Sequence, residues 1–172
     1  MSLQRWIGTG FLCASIASFL VACATSMLRA TTFAETGADT CLSRVNDAVQ
    51  GYVAQNGGRL PDSGSWMDQL SRNAATRETL TPSFLRPWYD APVGFAFFGQ
   101  LGGVELSRIK NAGEVPLVFL SSKSEWNATG GIEDLALPTS GREYFLVLFC
   151  DGSVRRMPPE WRLETITLEV RE

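Results

Sequence analysis

The opening apolar run constrains this chain more than any other feature. From Trp6 to Leu28, between Arg5 and Arg29, 23 consecutive residues carry no charge. As a helix such a run rises about 34 Å at about 1.5 Å per residue, slightly more than a bilayer's hydrocarbon core. It begins close to the start and the remaining chain is far more polar, so a membrane segment is expected rather than a buried helix of a soluble protein. Three fates stay open: an uncleaved signal-anchor, a cleaved signal peptide, or a lipidated N-terminus. In each case residues 1–30 are the anchor or signal segment, and residues 31–172 are long enough for one domain with a single core. Arg5 and the α-amino group precede the run, whereas Glu35 and Asp39 follow close behind Arg29. The bias is slight but favours a single pass with the N-terminus inside and the domain extracytoplasmic or periplasmic.

Two processing signals compete within the run. Leu20-Val21-Ala22-Cys23 resembles a bacterial lipobox, in which the cysteine is lipidated and becomes the new N-terminus, although Ala24 to Leu28 extends the apolar stretch past it. Gly10-Phe11 resembles the cleavage point of type IV prepilins, cut after a glycine that precedes an aromatic residue or Met. Those chains carry a glutamate at the fifth mature position, and Ser15 stands there instead. The carboxylate is thought to neutralise a neighbouring subunit's N-terminal amine inside the membrane, where an unpaired charge is expensive, so Ser15 argues against filament assembly by that contact.

What is missing removes whole function classes. With no histidine, Ser-His and Cys-His nucleophile pairs, His-ligated zinc and His general bases are all excluded. A net charge of -3 with 15 scattered Lys and Arg gives no footprint for nucleic acid. Cys13 and Cys23 lie in the apolar run while Cys41 and Cys150 lie beyond it, so a zinc site of all four would straddle a membrane interface. Two readings of Cys41 and Cys150 stay open. They can form a disulfide if exported, closing a loop of about a hundred residues worth about 4 kcal/mol in the chain-entropy model, or they are separate buried thiols. Ser122 and Lys123 are adjacent rather than three apart, which does not suit a Ser-Lys nucleophile. Asn127-Ala128-Thr129 fits a glycosylation sequon and marks a surface loop. No catalytic residue, metal or cofactor is expected.

Beyond Arg29, Cys41, Val45, Ala48, Val49, Tyr52 and Val53 recur at helical spacing, and Gly57-Gly58 with Pro61 stops the pattern. This predicts a helical spine over 35–55, the outer part of a kinked rod running from about Trp6 to Gln55. Ser65 can cap a short helix whose Trp66, Leu70 and Ala74 share a core-facing side. Residues 81–92 read as a Pro-rich loop. Strands are predicted at 93–98 and 115–120, while 104–109 is ambiguous. Tyr144 to Cys150, then Asp151-Gly152, then Ser153 to Met157 reads as a β-hairpin with a type I′ turn. Its first arm is apolar throughout, as expected of a strand buried on both faces. Alternating Ile166, Leu168 and Val170 suggest an edge strand, giving a sheet within 93–170.

These motifs carry a resemblance. Cys41-Leu42-Ser43-Arg44-Val45-Asn46, Tyr52-Val53-Ala54-Gln55-Asn56-Gly57-Gly58-Arg59-Leu60-Pro61 and the terminal FCDGSVRRMP together resemble pilin-like, pseudopilin G-like proteins of the H-X9-DG type, abundant in planctomycete-like bacteria. The signature histidine falls on Gly141, and Arg86-Pro87 stands where the family commonly has a Cys-Pro pair. The resemblance implies an α+β, pilin-like fold: a long N-terminal membrane-anchored helix packed on a small antiparallel β-sheet. It further implies a non-catalytic, pseudopilin-like structural or interaction protein of a cell-envelope or type II secretion-like assembly. Its partners would be membrane lipid and other pilin-like subunits or secretion machinery, with no nucleic acid. The alternative is an extracytoplasmic lipoprotein or monomeric binding module on the same fold. Calcium sites of pilin-like domains sit in loops near the sheet, and Glu125, Glu133, Asp134 and Asp151 are candidates. They lack EF-hand spacing and read as solvated loop carboxylates. Asp151 and Gly152 read as turn-forming residues.

Overall fold

Three short runs, GFAFF, PLVFLS and FLVLF, leave almost no polar side chain to face water. Such strands need cover on both faces, and every residue of β1 (Gly94–Phe98), β2 (Pro116–Ser121) and β4 (Phe145–Phe149) is buried. The computed structural model describes residues 39–73, 75, 77–81, 93–136, 144–163, 166 and 168–171. They belong to a unit spanning Gly37–Glu172. A second unit, Met1–Thr36, lies outside the described residues, and with it the apolar run and Gly10, Phe11, Ser15 and Cys23. Among the described residues no helix is long and apolar enough to cross a membrane.

The fold is α+β. Five strands order as β3-β1-β2-β4-β5, with β3 at Thr129–Gly130 and β5 at Val154–Met157. β1 pairs antiparallel with β2, β2 with β4 and β4 with β5, but β3 runs parallel to β1, so the sheet is mixed rather than the expected antiparallel one. The parallel strand exists because the polar loop after β2 crosses back to the free edge of β1, where the Phe97 N–H donates to Ala128 O at 3.0 Å.

The register sorts the two faces. Phe97 lies opposite Val118, Val118 opposite Leu148, and Leu146 opposite Arg156, so these side chains share a side. Helices cover that side. Trp66 stacks on Phe97 at 5.7 Å between ring centroids, and Arg156 Nη2 pairs with Asp39 Oδ2 at 3.1 Å. The first of these helices, α1, is helical over residues 39–55 within the predicted spine. It buries Cys41, Leu42, Val45, Ala48 and Val49, with Tyr52 and Val53 packed at the margin. Each large apolar side chain so buried contributes about 1.5–3 kcal/mol relative to exposure. The Gly57-Gly58 stop takes the expected form: both glycines have positive φ, 63° and 81°, and the Gly58 N–H closes on Val53 O at 2.9 Å in a Schellman-type cap.

α2 (Trp66–Asn73) follows a 3₁₀ turn at Ser63–Ser65, and α3 (Arg77–Leu80) adds one turn that buries Leu80. Gln69 ties α2 to α1: its Oε1 accepts from Tyr52 Oη at 2.6 Å while its Nε2 donates to Asp62 Oδ2 and Ser65 Oγ. The ambiguous stretch 104–109 is a 3₁₀ turn, Leu106–Arg108, flanked by isolated bridges Arg59↔Glu105 and Ile109↔Val170. On the other side of the sheet, Phe149 meets Trp161 edge-on at 5.8 Å. The chain after Pro158-Pro159 therefore turns back over that face. The expected edge strand at 166–170 is represented by the single bridge at Val170, with Ile166 and Leu168 packed on the core.

Candidate functional site

The hairpin tip gathers polar contacts around Asp151, which the sequence marks as a turn-forming residue. The Phe149 N–H donates to Ser153 O and the Gly152 N–H to Phe149 O, each at 2.9 Å, so the loop is the three residues Cys150, Asp151 and Gly152. Gly152 has φ 83°, whereas Asp151 keeps an ordinary negative φ. The expected two-residue type I′ turn is thus replaced by a three-residue loop ending in a glycine bulge. The reason is the aspartate side chain: Oδ1 accepts from the Ser153 amide at 2.9 Å and the Ser153 hydroxyl at 2.5 Å, an Asx-type turn that fixes Asp151.

Arg155 completes the tip. Its Nη2 pairs with Asp151 Oδ2 at 2.7 Å, its Nη1 donates to Gly113 O at 2.8 Å, and its guanidinium lies 4.7 Å from the Phe149 ring centroid. Partial burial pushes the Asp151 carboxyl upward, but the Ser153 hydroxyl and amide and the Arg155 charge outweigh it and hold it below the usual carboxylate range. The Cys150 and Asp151 amides donate to Val115 O and Ala112 O, which docks the loop on the 111–115 turn. A cleft of about 620 Å³ opens here, lined by the apolar Phe149, Met157 and Trp161 and the charged Arg155, Glu114 and Glu169. Its size suits a small ligand, yet its arginine is already committed to Asp151 and Gly113.

The second constellation was not anticipated. Asn127, in the expected surface loop, has φ 61° and turns inward. Its Oδ1 accepts from the Met67 and Asp68 amides at 2.8 and 3.2 Å, capping α2 from across the fold in place of Ser65. Its Nδ2 donates to Asp68 Oδ2 at 2.8 Å, Trp126 Nε1 donates to Asp68 Oδ1 at 2.7 Å, and Trp66 Nε1 donates to Ala128 O at 3.0 Å. Arg77 sits 5.1 Å from the Trp126 ring centroid. The bonds from Trp126 and Asn127 hold the Asp68 carboxyl below its ordinary value, helped by Arg72 and Arg77. The sequon asparagine is therefore a structural clasp, with its amide engaged. The buried core role expected of Trp66 is observed. Positive φ at an asparagine is the signal that pattern reading lacks.

The remaining candidates are dispersed. Lys123 Nζ reaches Asp134 Oδ2 at 2.7 Å and Thr129 O at 3.0 Å, while Ser122 Oγ points to Asp134 O at 3.4 Å. Asp134 first, by hydrogen bond, raises the Lys123 pKa, so this amine is held protonated. Of the four carboxylates weighed as calcium candidates and read as solvated, Asp134 pairs with Lys123 and Asp151 with Arg155. Among the described residues no three Asp, Glu, Cys or His side chains converge as a metal site would require. Cys41 and Cys150 are free thiols, both buried. Asp39 meets the Arg156 level of β5 and Asn46 lies against Gly152, so Cys41 falls about 7.5 Å along α1 from the level of the loop. Burial, then the Asp151 charge, pushes the Cys150 thiol up to about 12, and burial raises Cys41 against the pull of Arg44. Both stay protonated near neutrality and are poor nucleophiles.

Compared with known protein families, curated proteins and solved structures, the chain finds no match.

Proposed function

We propose that this chain is a membrane-anchored, pilin-like structural or interaction protein of a cell-envelope or secretion-type assembly, with a non-catalytic head outside the cytoplasm. The observation that carries the reading is the apolar face of α1, buried through Cys41, Leu42, Val45, Ala48 and Val49 on one side of a five-stranded sheet. In sequence that helix follows shortly after the 23-residue uncharged run, the order expected of an anchor leading into a spine. Support also comes from how the polar groups are used. Asp151, Asp68 and Asp134 each hold structural partners, and the two buried thiols are protonated.

A second reading, a monomeric lipoprotein or binding module on the same fold, is favoured by Ser15 at the position where prepilins place a glutamate. Mass spectrometry of the mature N-terminus separates the two. A chain starting at Phe11, with or without N-methylation, supports pilin-type processing, and a diacylglyceryl Cys23 supports the lipoprotein. Met1 at the start supports an uncleaved anchor, whereas a mature chain beginning beyond Leu28 contradicts both membrane readings.

A further inference from the structure

Asn56 is the one asparagine of this chain that precedes a glycine; Asn46, Asn73, Asn111 and Asn127 precede Asp or Ala. It sits where α1 ends, and both it and Gly57 are exposed. Gly57 has φ 63°, and a Cβ built on it meets nothing within 4 Å, so the space beside its Cα is open. Around it the cap bonds are made by neighbours: the Asn56 N–H donates to Tyr52 O at 3.0 Å and the Gly58 N–H to Val53 O at 2.9 Å. Among the described residues no acceptor takes the Gly57 N–H.

We propose that Asn56 is a site of spontaneous deamidation, at which the folded chain converts an amide into aspartate and iso-aspartate at the end of its spine helix. Solvent base removes the Gly57 N–H proton and the nitrogen attacks Asn56 Cγ. The new C–N bond closes a succinimide, and the side-chain nitrogen leaves as ammonia, taking its proton from water. Water then opens the ring. Attack at Cγ breaks the new bond and leaves aspartate; attack at the Asn56 main-chain carbonyl breaks the original peptide bond and leaves iso-aspartate. The sum is one amide plus one water giving one carboxylic acid and ammonia. The Asn56 side chain must first leave its own contact, in which Nδ2 donates to Tyr52 O at 2.8 Å. That carbonyl also accepts the Asn56 N–H, so it retains a partner when the side chain swings away.

The product alters the fold at a junction. A carboxylate replaces an amide at the negative end of the α1 dipole, and iso-aspartate lengthens the main chain by one carbon inside the turn that the Gly58–Val53 bond closes. Directly beyond lie the bonds from Leu60 N–H to Val104 O and from Leu106 N–H to Gly58 O, both at 2.9 Å, which fasten this turn to the 104–106 segment.

The test incubates detergent-solubilised full-length chain in mildly alkaline buffer and maps the peptide from Val45 to Arg59, which holds both Asn46 and Asn56. Conversion at Asn56 at least about tenfold faster than at Asn46 is expected, with iso-aspartate the major product, because glycine alone presents an unhindered nitrogen. The Asn56→Gln variant should lose the modified peptide while keeping its helical circular dichroism. Urea-unfolded chain sets the intrinsic rate. If the unfolded chain converts readily while native Asn56 converts no faster than Asn46, the fold protects the site and the proposal is overturned.

Discussion

Asn127 shows how one side chain can hold two elements that are distant in sequence. Its Oδ1 supplies the cap that α2 lacks locally, and its positive φ is a conformation that asparagine tolerates better than most residues. Asn127→Ala should lower stability by about 1–2 kcal/mol, read as a shift of the urea midpoint at unchanged slope. Asn127→Gly should lose less, because it keeps the backbone freedom while dropping the cap. The two head cysteines make a separate prediction. With Cys150 near 12 and both thiols buried, site-resolved alkylation of native protein near neutrality should be slow at Cys41 and Cys150 and rapid once the chain is unfolded. Since the folded pKa of Cys150 lies above the ordinary 9.0, its contribution to stability is complete below that value and declines as pH rises toward about 12. Alkylation of folded protein as fast as of unfolded protein would contradict this burial.

At the scale of elements, the β4–β5 hairpin depends on its loop. A Cβ at residue 152 would meet Asn46 Nδ2 at 3.3 Å and would have to adopt φ 83°, so Gly152→Ala should cost about 1 kcal/mol by thermal or urea unfolding. Asp151 and Asp68 both have folded pKa values below the ordinary 3.8. Their stabilisation is therefore complete above that value and lost as pH falls through the folded ones. Acid titration of unfolding should show this loss below about pH 4, and Asp151→Asn should flatten it. These elements also mark how far the sequence was legible. The face of α1, the Gly57-Gly58 stop, the buried strands and the Asp-Gly hairpin all follow from local periodicity or from glycine. Thr129–Gly130 was invisible because two residues carry no period and their pairing is set by the return of the loop to β1. The trans cap was invisible because its donor and acceptor lie about sixty residues apart. The turn type was misread because Asp-Gly alone does not reveal that Ser153 would engage the carboxylate.

At the scale of the whole molecule, three ion pairs among the described residues join neighbouring elements. The Asp39–Arg156 pair joins α1 to the edge strand, Lys123–Asp134 joins the return loop to the turn beside it, and Arg155–Asp151 joins the hairpin to its own loop. All three pairs are partly exposed, so each adds little to stability and serves chiefly to fix geometry. The central claim is that this head is carried on a membrane by residues 6–28. Fractionation of cells expressing the full-length chain, with high-salt and alkaline washes before detergent, tests it most directly. The account predicts that the protein stays with the membrane pellet through both washes and is released by detergent. Recovery of the intact full-length chain in the soluble fraction without detergent would contradict it.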